Sequence, residues 1–133
     1  MDNEILVKEF RKVIKILRHK HGHIALLMLK TSDTDIPIWN LIVSTAGYDN
    51  MTDEEALKDF LDILNNAVYK EILKEIVRLT VLKTDDPFVK EINLIFRIKN
   101  SVKYIQSSVI TGIYIENGII FESASPMVRN KIK

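Results

Sequence analysis

The chain has no cysteine, so disulfide frameworks, thiolate zinc sites, iron–sulfur clusters and cysteine nucleophiles are all excluded. Glycine is scarce: four residues in the whole chain leave no room for a glycine-rich loop that cradles phosphates. Ser44 lacks the flanking glycines of a nucleophile elbow, and the three histidines are crowded into one place, which argues against a serine hydrolase. No apolar run approaches the length that spans a bilayer. The start, Met1-Asp2-Asn3-Glu4, is acidic and is followed by charges every few residues, unlike a secretory leader. The expectation is a cytoplasmic protein with no membrane association. A net charge of +1 gives the molecule no bulk attraction to nucleic acid or anionic lipid.

What is present describes an ordinary globular chain. Hydrophobic residues make up 47% of the 133 residues, enough for one domain to bury a core without metal or disulfide staples. The expected organisation is a single α+β domain over residues 1–126, followed by a short basic tail, 127–133, expected to be mobile. Charge is segregated. Lys8, Arg11, Lys12, Lys15, Arg18 and Lys20 gather near the start, whereas Asp49, Asp53, Glu54, Glu55, Asp59 and Asp62 gather further on. Such segregation steers a partner, or else marks two solvated helix faces.

Leu6, Phe10, Val13, Ile14 and Leu17 recur at helical spacing and predict a helix over 3–19, with the cations on its other face. The apolar run within 23–30 predicts a strand buried on both sides. A second strand follows over 38–45, and the short polar turn Thr31-Ser32-Asp33-Thr34-Asp35 makes the pair a hairpin. Thr52-Asp53-Glu54-Glu55 is a capping box that opens a second helix, which Asn65-Asn66 would break or bend. The β-branched residues of 76–82 predict a third strand. Asp85-Asp86-Pro87 starts a further helix, in competition with a strand-like alternation of Ile92, Leu94, Phe96 and Ile98. Two last strands, 109–115 and 119–123, flank Asn117-Gly118, the residue pair favoured in a tight hairpin turn. The order is α-β-β-α-β-α-β-β. It predicts a mixed five-stranded sheet packed by about three helices, with the segment 119–123 at an edge able to pair with a second copy.

Several residues are candidates for function. Ser44, Thr45, Tyr48 and Asp49 lie where a strand gives way to a helix, a place suited to small ligands or anions. Asp53, Glu54 and Glu55 already fill that helix start, and the alternative is a capped turn. His19, His21 and His23 alternate and would align on an extended segment, but nothing nearby completes a tetrahedral set. Asp33 and Asp35 with Asp49 or Asp85-Asp86 have the chemistry of a magnesium site, yet no strand carries the acidic pairing that phosphodiester hydrolysis needs. No metal and no cofactor are therefore implied. Arg11, Lys15 and Arg18 share one helical stripe that suits phosphate contact, although there is no helix-turn-helix spacing and no aromatic platform for stacking single-stranded bases. Trp39, the single tryptophan, has the chemistry of an interface anchor, and would form a patch with Tyr48, Tyr104 and Tyr114 if one sheet face were open. The leading expectation is a non-catalytic interaction or regulatory protein acting by self-association or with a protein partner. A nucleic-acid-binding or nucleic-acid-processing protein using the first helix is the alternative, and a small-molecule or nucleotide sensor at the turn is another.

Overall fold

Helix α1 (Asn3–His21) buries the stripe Leu6, Phe10, Val13, Ile14 and Leu17, so its cations are left outward. Strand β1 (Ile24–Thr31) is buried along its entire length, as expected of an apolar run covered on both faces. It pairs antiparallel with β2 (Trp39–Thr45) in the register Leu27 to Val43 and Leu29 to Leu41. The computed structural model describes residues 3–32 and 38–125. Asp33 and Asp35 of the polar turn, and the basic tail 127–133, lie outside the described residues.

The capping box forms as its chemistry dictates. The Glu55 amide donates to Thr52 Oγ1 at 3.1 Å, and the Thr52 amide donates to the Glu55 carboxylate at 2.9 Å. The helix it opens, α2 (Asp53–Ala67), ends just past Asn65-Asn66, and a short α3 (Lys70–Leu73) resumes after the break. Glu9 reaches across from α1 to accept the Tyr69 amide exposed there, at 3.1 Å. Strand β3 (Ile76–Val81) then pairs parallel with β2. Asp86 caps α4 (Pro87–Ile95) by accepting the Phe88 amide at 2.8 Å, so the helical pattern of this segment prevails over its alternation.

The C-terminal hairpin differs from the expectation. Strand β4 (Lys103–Ile110) and strand β5 (Ile113–Ser123) are joined at Thr111-Gly112, both with positive φ (49° and 80°), the conformation a two-residue turn requires. Asn117-Gly118 lies inside β5 instead. Gly118 is packed so closely under β4 that an added Cβ would stand 2.7 Å from Ile105 Cγ1. The sheet order β3-β2-β1-β5-β4 also places 119–123 between β1 and β4, so that segment is interior and β4 is the free antiparallel edge.

The fold is thus α+β, a mixed five-stranded sheet with helices on both faces. On one face α1 and α2 cover Leu27, Leu29, Leu41, Val43, Ile119 and Phe121. On the other, α4 covers Leu26, Met28, Ile42 and Ile120. Among the described residues no helix is long and apolar enough to cross a membrane.

Candidate nucleic-acid interface

Helix α1 is seated by its apolar stripe, with Phe10 stacked on Phe121 of β5 at 4.7 Å between ring centroids. Its seating leaves a furrow between its basic side and the segment that leads into β4. Three adjoining depressions make up this furrow. The middle one, about 500 Å³, lies between Val7, Lys8 and Arg11 on the helix and Val102 and Tyr104 opposite. Arg11 also lines the second, about 310 Å³, together with Lys15, Arg18, Asn100 and Glu122. Tyr104 also lines the third, about 370 Å³, with Trp39, Gln106 and Asn117.

The structure therefore gathers Arg11, Lys15 and Arg18 on one wall of a furrow. Arg11 makes a long hydrogen bond of 3.4 Å to the Asn100 carbonyl. Among the described residues Lys8, Arg11 and Lys15 form no ion pair. Lys12 also lines this end of the furrow, but its ammonium is paired with Glu9 at 2.6 Å and lies over the Tyr69 ring. Cations held next to a groove without carboxylate partners keep their charge available for an anion.

Glu122 is the residue that sequence reasoning missed. It closes the Arg18 end of the furrow, is only 3% exposed, and accepts from Arg18 at 2.7 Å through Oε2. Its other oxygen, Oε1, has no hydrogen-bond partner among the described residues. Burial pushes its carboxyl up from the usual range, against the opposing pull of Arg18, Lys99 and His23. Buried unpaired carboxylate oxygens are costly and uncommon. Nothing in the local sequence Ile120-Phe121-Glu122-Ser123 separates this glutamate from one on a solvent face.

Two aromatic side chains that the sequence did not associate also meet the furrow. Tyr104 is 47% exposed and Trp39 partly so, and both line the far end of the furrow above the amides of Gln106 and Asn117. They come from strands β4 and β2, which are not neighbours in the sheet, so no local spacing could associate them. Tyr48 is buried elsewhere, and Tyr114 stands near the tip of the β4–β5 hairpin.

The strand-to-helix turn spends its polar groups internally. Thr45 Oγ1 donates to the His23 carbonyl at 2.6 Å, and Tyr48 donates its hydroxyl proton to Asp59 at 2.7 Å. Asp49 accepts both the amide and the hydroxyl of Thr84. Ser44 is fully buried, its hydroxyl without a hydrogen-bond partner among the described residues. The histidines are drawn apart by their contacts: His21 bonds Asp59 and His23 bonds the Ala124 carbonyl, each at 2.7 Å. Among the described residues no group of three or more histidine or acidic side chains is placed to hold a metal ion. No protein-family model, curated protein or solved structure matches the chain.

Proposed function

We propose that the protein binds single-stranded nucleic acid along the α1 furrow. The observation that carries this reading is that Lys8, Arg11 and Lys15, which form no ion pair among the described residues, line one furrow with Tyr104 and Trp39, Glu4 standing among them in its middle stretch. Cations that track a backbone, together with aromatic faces that stack bases, are what sequence-tolerant single-strand binding needs. From Asn3 to Arg18 the helix rises about 22 Å. A stacked strand at about 3.4 Å per nucleotide would lay about six nucleotides along it. A net charge of +1 does not oppose this, because the charge that matters is local and within a Debye length of the strand.

The test is anisotropy of a labelled single-stranded oligonucleotide titrated with protein at several salt concentrations. Three phosphate contacts give a log–log salt slope of about −2. The double variant Arg11→Glu, Lys15→Glu is expected to abolish binding, and Tyr104→Ala to weaken it by about 1–3 kcal/mol through lost stacking. Binding that is unchanged in the charge-reversed variant would overturn the reading.

A second reading, self-association, is favoured by one observation. The free edge β4 carries a single charged side chain, Lys103, while Tyr104 and Val109 on it are exposed. Long edges with few charges are where a second copy adds its own strand.

A further inference from the structure

The buried, half-satisfied carboxylate of Glu122 is hard to account for as a structural group. A leucine of similar volume would fill the same place without a desolvated oxygen, and replacing buried ion pairs by apolar residues is often neutral or stabilising. Its position is the closed end of the furrow, beside Arg18, with Lys15 and Asn100 on the same walls. Glu122 itself lines that depression; half-exposed Arg18 holds its Oε2, which leaves Oε1 as the oxygen without a partner among the described residues.

The pair then offers a bare acceptor next to a fork of donors. Cytosine presents the complement along its Watson–Crick edge: the N4 amine donates, while N3 and O2 accept. Thymine and uracil set the O4 carbonyl where that amine would lie, acceptor against acceptor. Resting on the single-strand reading above, we propose that Glu122 and Arg18 form a base-reading pocket at the end of the furrow. There the carboxylate accepts the amine of an unpaired cytosine and Arg18 donates to its ring nitrogen and carbonyl. Glutamate accepting from cytosine N4 is an established base contact, and arginine supplies the parallel donors. Arg11 and Lys15 hold the phosphates. A carboxylate raised by burial and poised among cations fits a group whose ionised form gains a donor when the base arrives.

The experiment compares short oligo(dC) and oligo(dT) of equal length against the full chain at neutral pH and fixed salt. The parent is expected to prefer oligo(dC) by at least about fivefold. In Glu122→Gln the amide can also donate to a thymine carbonyl, so the ratio is expected to fall to near one while salt-dependent binding persists. Should that variant fail to fold, Glu122→Asp keeps the charge for Arg18 but withdraws the oxygen by one methylene, and is expected to lose the preference likewise. Equal, salt-dependent binding of both oligonucleotides by the parent would overturn base reading and leave the furrow standing. A preference that survives both substitutions assigns it to other residues and also overturns the proposal. Absence of binding to either strand removes the single-strand reading, and the pocket with it.

Discussion

Two carboxylates show how placement sets chemistry at the scale of one residue. Asp59 on α2 is met by His21 and Lys20 from the end of α1 and by the Tyr48 hydroxyl. Burial alone would raise its carboxyl, but the hydrogen bonds from Lys20, Tyr48 and His21 outweigh that and hold it at about 2. The same contact raises the Tyr48 hydroxyl above its ordinary range, burial being the larger cause. Among the described residues Glu122 has a single donor, and burial wins. A carboxylate whose folded value lies below its unfolded one stabilises the fold above the unfolded value, and that stability is lost as pH falls through the folded one. Thermal unfolding midpoints of the parent should therefore drop between about pH 4 and pH 2, and Asp59→Asn should flatten that drop while lowering stability at neutral pH. Parallel pH curves for the two proteins would remove Asp59 as the source.

At the scale of elements, local chemistry prevailed wherever it was self-contained. The Thr52–Glu55 box and the Asp86-Pro87 start each satisfy backbone groups within a few residues; both were legible in the sequence, as was the break after Asn65-Asn66, although the Tyr69 amide exposed there is taken up by Glu9 of α1. The last hairpin was not. Asn117-Gly118 has the better turn chemistry, yet Thr111-Gly112 makes the turn, because a long β5 pairs with β1 on one side and β4 on the other. Ladder bonds on two sides outweigh a turn preference worth about 1 kcal/mol or less. Gly118 is then required for close packing. Its replacement by alanine sets a Cβ 2.7 Å from Ile105 and 3.2 Å from Ile115, and should cost about 1–3 kcal/mol. The urea midpoint reads this directly, and adding Ile105→Val should restore part of the loss. An unchanged midpoint would mean that β4 moves aside freely.

For the molecule as a whole, the sheet has two free edges among the described residues, and they differ. β3 is held parallel to β2 behind α2, whereas β4 is antiparallel to β5 and open. If copies associate through β4, light scattering on a size-exclusion column should give a dimer for the parent and a monomer for Val109→Lys, since a charge on an edge discourages pairing. A parent that stays monomeric at every concentration rules this out. Tyr104 lies on that edge and also lines the furrow, so a dimer through β4 would place a second copy beside the aromatic end.

Much of the fold follows from the order of residues alone. Helical spacing in α1, a continuous apolar run in β1 and the caps of α2 and α4 act over one or two turns of chain, where near neighbours supply both partners of each bond. The candidate site divides at the same boundary. Arg11, Lys15 and Arg18 share a stripe because they share a helix, and a period of 3.6 residues is enough to see it. Tyr104, Trp39 and Glu122 joined them only through the strand order β3-β2-β1-β5-β4. That order is set by which apolar faces bury together, a sum over many weak contacts between distant segments. Such a sum leaves no mark at any single position, so the aromatic end of the furrow and its buried carboxylate became visible only when the sheet was assembled.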